Sequence, residues 1–174
     1  MCYFLKTRTR TLIFIFTLII LSGILAFAST IPLSLSDAQS LSQSVQGING
    51  TTTAIFQNNV QIALLEFVPV FGPGFGAYSS YDTGLAISAL ALSNPGSSVS
   101  GIELFLFLLF TPIYWFEFAC YSLAVEESIS LLVSFRNHDF RKTEWKWLLG
   151  SILFVIATLF VSAGIEANLI NLVK

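Results

Sequence analysis

The chain reads as an all-α, polytopic transmembrane bundle of about five spans. Three observations predict this. First, its 174 residues are 55% hydrophobic and only 10% charged, and mean hydropathy is +0.79; a soluble domain carries about 25% charged residues. Second, the apolar residues fall in long runs broken by short polar or Gly/Pro-rich stretches. Third, seven of the eight basic residues sit in two clusters that abut apolar runs: Lys6, Arg8 and Arg10, then Arg136, Arg141, Lys142 and Lys146, leaving only Lys174 elsewhere. Clusters of this kind mark cytoplasmic flanks. The N-terminus and the 136–147 loop are therefore expected inside, with an even number of crossings between them, and the C-terminus outside. The expected setting is a cell membrane, multi-pass, in a single membrane domain covering residues 1–174.

Each element follows from this frame. Residues 11–28 form a first apolar run, close to the roughly 20 residues a span needs. Ala26-Phe27-Ala28 also has the A-x-A form of a signal-peptidase site, so a cleaved signal competes with a retained span. The run is longer than the usual signal core, which favours retention. Residues 29–53 are an outer polar loop without Lys or Arg. Asn49-Gly50-Thr51 is a glycosylation sequon on that outer side. Ser36-Asp37 is placed to cap a short amphipathic helix over 37–45.

Residues 54–71 form the second span. Gly72, Pro73, Gly74 and Gly76 then predict a helix break. Residues 81–93 give a short third span, ended by Asn94-Pro95-Gly96. The run 102–135 would make roughly 50 Å of helix, more than one bilayer requires. Pro112 divides it. The reading is a half-span or surface helix before Pro112 and a full span over 112–133. A cytoplasmic basic loop follows at 136–147, with Trp145 and Trp147 as headgroup-level anchors. Residues 148–172 are the last span.

The informative residues are polar groups inside the apolar runs. A carboxylate in hydrocarbon faces the bundle interior and often marks function. Asn58, Asn59 and Glu66 lie in the second span; Asn59 and Glu66 are one heptad apart and share a helix face. Tyr114, Glu117 and Tyr121 recur at i, i+3 and i+7 in the fourth. Two such spans can set Asn59 or Glu66 against Glu117. Glu126 and Glu127 toward the inner end, and Glu166 toward the outer, are expected at the partly solvated interface. No Lys, Arg or His lies within a span to pair with these acids. The functional alternatives are interhelical hydrogen bonding and a proton or cation relay through Glu66 and Glu117. Small residues at close spacing, Gly72 with Gly76 and Ser80 with Gly84, permit close helix approach.

No metal-ligand spacing, phosphate-binding glycine loop or nucleophile–base pattern appears, so no catalytic residue and no cofactor is expected. Cys2 and Cys120 sit on different elements and read as free thiols; His138 lies in the basic loop. The basic clusters report topology, and nucleic acid is not an expected partner. The expected partners are the lipid bilayer and other membrane subunits.

Phe56-Gln57-Asn58-Asn59, the Gly72 to Gly76 segment, Thr83-Gly84, and Pro112 followed five residues later by Glu117 together resemble the stage II sporulation protein M family, small polytopic membrane proteins of bacteria and archaea. The likeness covers about half the chain, from Phe56 to Leu132. In that family Pro-His-Gly precedes the last Glu; here Ile113 and Tyr114 replace His and Gly. The resemblance implies a helical membrane component without catalysis of its own. The expectation is a non-catalytic scaffold or assembly subunit, with a proton- or cation-handling component as the alternative.

Overall fold

The computed structural model describes residues 2–46, 51–93, 99–136 and 142–173, and every regular element among them is a helix. In chain order these are α1 (Cys2–Ser29), α2 (Leu35–Gln46), α3 (Thr52–Glu66), α4 (Phe71–Leu92), α5 (Gly101–Leu109), α6 (Pro112–Arg136) and α7 (Lys142–Val173). Asn49 and His138 lie outside the described residues.

Local signals set the boundaries. Ser34 accepts from the Asp37 amide, which opens α2 two residues earlier than Ser36-Asp37 suggests. Thr51 caps α3 through the Ala54 amide. Ser100 and Glu103 form a reciprocal capping box on α5. The short helix α5, the turn at Phe110 and Thr111, and Pro112 opening α6 match the expected break.

The predicted break at Gly72, Pro73, Gly74 and Gly76 is corrected. The chain turns earlier, at residues 67–70, and all four lie in the first turns of α4. Pro73 is harmless there, because the first amides of a helix have no intrahelical acceptor. The glycines serve packing instead. A Cβ at Gly72 would overlap the Glu66 carbonyl, and one at Gly76 would sit 2.8 Å from Val125 Cγ2. The turn ends at Val70 with φ 70°, unfavourable for a β-branched residue. Val68 anchors it: its carbonyl accepts from the Gly72 amide and the Ser128 hydroxyl, each at 2.8 Å. The third apolar segment is thus part of a 22-residue helix. α7 likewise starts earlier than residue 148, so the segment between α6 and α7 is shorter than 136–147.

Contacts fix the helix directions. Arg10 meets Glu127 and Ser22 meets Tyr114, so α1 and α6 are antiparallel. Glu127 with Ser151 and Glu117 with Ser162 make α6 and α7 antiparallel. Asn59 with Glu117 and Val68 with Ser128 make α3 parallel to α6. Gly76 lies beside Leu21, and Gly84 beside Ala28, so α4 runs with α1. The order α1, α3, α4, α6, α7 therefore alternates in direction. α2 packs on α4, and α5 packs on α4, α1 and α6.

Gly72, Gly76, Ser80, Gly84 and Ser88, all buried, recur every fourth residue along α4. They form a stripe of small side chains facing neighbouring helices. At its far end Gly84 approaches α1 so closely that a Cβ would lie 2.5 Å from Ala28 Cβ. Close backbone approach of this kind gives dense van der Waals contact.

Burial is inverted relative to a water-soluble protein. Ser122, Glu126, Glu127, Ser128 and Ser130 of α6 are buried, whereas Leu12, Phe16 and Ile19 of α1 and Leu153, Phe154 and Phe160 of α7 are exposed. Among the described residues three helical segments, Arg8–Ser29, Pro112–Arg136 and Trp145–Ile170, are long and apolar enough to cross a membrane. α3 is short at 15 residues, and α4 carries Tyr78-Ser79-Ser80-Tyr81-Asp82-Thr83 in its middle.

Candidate functional site

The candidate site is a series of buried and half-buried carboxylates between α3, α4, α6 and α7. Its central layer is built on Glu117. Asn59 Nδ2 donates to Glu117 Oε1 at 2.7 Å, and Ser162 Oγ donates to the same oxygen at 3.2 Å. Three helices thus meet at one acceptor. Asn59 reaches α6 because its face of α3, with Ile55, Ala63 and Glu66, is the buried one. Asn58 lies on the other side, exposed, and donates to Asn59 Oδ1 at 3.2 Å. It fixes which way the Asn59 amide points. Glu166 of α7 is half-buried.

The second layer holds Glu66, which is fully buried. Ser79 Oγ donates to its Oε1 at 3.1 Å, and its Oε2 has no partner. The carboxylate rests against Gly76, where a Cβ would lie 3.4 Å from Oε1. Glu66 therefore faces α4 and not Glu117. The heptad spacing that put Asn59 and Glu66 on one face holds, but the hydrogen bond of the Glu66 carboxylate goes to Ser79 of α4.

The third layer lies in the C-terminal half of α6 and was not expected from the sequence. Glu126 and Glu127 are 2% and 1% exposed, which corrects their placement at a solvated interface. Arg10 of α1 supplies the cation: Nη1 lies 2.8 Å from Glu127 Oε1 and 3.8 Å from Glu126 Oε1. Its guanidinium also stands 6.0 Å from the Trp147 ring centre, within cation–π range. Ser151 donates to Glu127 Oε1 at 2.8 Å, and Ser130 to Glu126 Oε1 at 2.6 Å. Glu127 Oε2 is unpartnered. A buried acid pair needs a cation, and the nearest basic cluster was the one available source.

The expected tyrosine-flanked Glu117 resolves into separate contacts. Tyr114 turns to α1, where its hydroxyl donates to Ser22 Oγ at 2.6 Å and its ring stacks on Phe118 at 4.5 Å. Tyr121 packs against the clusters on both sides of α6 and lies 5.9 Å from the Phe118 ring. Cys120 is buried, with Sγ 4.0 Å from the Val155 carbonyl. No group of three or more His, Cys, Asp or Glu side chains suited to a metal ion occurs among the described residues.

Chemically, the layers offer two capacities. Hydroxyl, amide and guanidinium donors on one carboxylate tie helices together. The two unpartnered oxygens, on Glu66 and Glu127, are free to accept a further donor. In comparisons with protein-family models, with curated proteins and with solved structures, nothing matches this chain.

Proposed function

We propose that the chain is a non-catalytic integral membrane subunit, a scaffold whose buried polar groups hold a helical bundle that docks other membrane components. The carrying observation is the Glu117 layer. One carboxylate oxygen accepts from α3 and from α7 at once, and Arg10 and Ser151 repeat this at Glu127. Hydrogen bonds between helices in lipid contribute about 0.6 kcal/mol each on average. They fix helix register more than they drive association. The inverted burial pattern supports lipid as the solvent.

In this reading the five alternating helices are five crossings. α3 and α4 form a hairpin whose turn at Val68 lies level with Ser128 on α6. The N-terminus and the 137–141 segment face the cytoplasm, and the C-terminus is external. Residues 1–28 are retained: Leu25 and Ala28 are buried, Ala28 closes on Gly84, and Arg10 neutralises buried acids. An intact mass of the purified protein tests retention. Cysteines placed at Ser40 and Asp139 should label from opposite sides, and same-side labelling contradicts the map.

The resemblance to the stage II sporulation protein M family enters as part of this proposal. One observation supports it: Asn59 of the Phe-x-Asn-Asn segment and Glu117 of the Pro-to-Glu segment are hydrogen-bonded partners. A second reading, proton or cation handling, has its own observation in the unpartnered, buried Oε2 atoms of Glu66 and Glu127. One experiment separates the two readings. Under the scaffold reading Glu117→Gln retains assembly and Glu117→Leu weakens it. Flux in reconstituted vesicles that is abolished by Glu66→Gln or Glu117→Gln, with assembly intact, overturns the scaffold reading.

A further inference from the structure

Three elements converge at the inner end of the bundle and leave a space between them. The α3–α4 turn contributes Phe67, Val68 and Pro69. The end of α6 contributes Leu131 and Phe135, and the start of α7 contributes Trp145, Leu148 and Ile152. They line an open groove of about 340 Å³ whose lining side chains are all apolar. It exists because the α3 helix stops at Glu66 while α6 continues to Arg136 and α7 begins at Lys142. Nothing from α3 fills the last turns between α6 and α7.

Two exposed cations adjoin lining residues of the groove in sequence. Arg136 follows Phe135 directly and Lys146 follows Trp145, and both are exposed. In sequence the connecting segment adds Arg141 and Lys142 but also Asp139 and Glu144, so the stretch 136–146 is net basic by two charges. The acids in this part of α6, Glu126 and Glu127, are buried and engaged with Arg10, so they do not offset Arg136 and Lys146. An apolar slot flanked by exposed cations, at the level of indole anchors, matches one ligand class. We propose that this groove binds an anionic phospholipid, with an acyl chain against Phe67, Leu131 and Ile152 and the headgroup phosphate beside Arg136 and Lys146. The proposal rests on the membrane reading above. Basic pockets between helices on the cytoplasmic side recognise anionic headgroups, and Arg adds planar, paired donors for phosphate oxygens. A detached phosphate would gain nothing from the apolar slot, so the lipid is the ligand.

The test uses Trp145 as reporter. In a Trp115→Phe/Trp147→Phe background Trp145 is the sole indole. The full chain is reconstituted into phosphatidylcholine vesicles containing an equal small fraction of either brominated phosphatidylglycerol or brominated phosphatidylcholine. Brominated chains quench an indole they touch. The expected result is stronger quenching by brominated phosphatidylglycerol. Arg136→Gln and Lys146→Gln should each reduce the preference, by roughly fivefold at low salt if each cation contributes about 1 kcal/mol. Ile152→Phe, which narrows the slot and leaves the cations, should reduce quenching by the anionic lipid while the chain still floats with vesicles. Equal quenching by both lipids, or a preference indifferent to Arg136, Lys146 and Ile152, overturns the site. A chain that does not float with vesicles overturns the membrane reading itself.

Discussion

The Glu117 layer and the Glu127 layer solve the same problem with different chemistry. Glu117 sits in mid-bundle, where only neutral donors are at hand: one amide from α3 and one hydroxyl from α7. Glu127 sits near the inner end with Glu126 beside it, and there a guanidinium joins Ser151. The difference follows from reach. Arg10 lies at the inner edge of α1, so its apolar stem can run along the helix while its head meets the acids. The mid-bundle layer is therefore the one that can dispense with charge, whereas the inner layer depends on it.

Substitutions sharpen this contrast, and the largest effect belongs to the inner layer. Arg10→Ala takes the guanidinium from the buried Glu127 carboxyl and should cost about 3–5 kcal/mol, read by reversible unfolding in detergent micelles. A cost below about 1 kcal/mol would make the ion pair incidental. Next comes Glu117. Replacement by Leu leaves Asn59 and Ser162 unpartnered and should cost about 1–3 kcal/mol. Glu117→Gln, which still accepts through its carbonyl, should cost under about 1 kcal/mol. If Gln and Leu behave alike, the layer is not held by hydrogen bonds.

Val70 gives an effect of opposite sign. Its φ of 70° carries a strain of about 1–3 kcal/mol, which glycine avoids. Val70→Gly should raise stability by up to about 1 kcal/mol once glycine's greater unfolded-state entropy is subtracted. A loss of stability would mean that Val70 packs more than it strains.

The smallest effect concerns Glu103 at the start of α5. Hydrogen bonds from the Ser100 amide and hydroxyl hold its carboxyl below the usual carboxylate range. A depressed carboxyl stabilises above its unfolded value and loses that contribution as pH falls through its folded value. Acidification should therefore fray the first turn of α5, seen as a lower amide protection factor at Glu103; Ser100→Ala, which loses the hydroxyl but keeps the amide donor, should weaken the pH dependence, and Glu103→Gln should abolish it.

Part of this was legible in the sequence and part was not. The all-helical class followed from the apolar runs and sparse charge. The meeting of Asn59 with Glu117 was legible as one of two pairings, since Asn59 and Glu66 share a face of α3 and either could meet Glu117. The Arg10 contact was hidden, since a basic residue at a span edge looks like a topology marker whether or not it turns inward. Gly72 to Gly76 misled because glycine serves two purposes. It ends helices, and it also lets backbones touch, and only the neighbour at Glu66 distinguishes the two. Glu66 itself pairs with Ser79, an ordinary serine in a segment too polar to attract notice as a helix. The turn at residues 67–70 has no glycine to announce it.

The central claim is that buried acids tie these helices together. A double-mutant cycle on Arg10 and Glu127, measured as unfolding free energy in one detergent, tests it most directly. The account predicts a coupling of about 1.5–3 kcal/mol, the range of hydrogen bonds to charged groups. Substitution effects that simply add, to within about 0.5 kcal/mol, would contradict it.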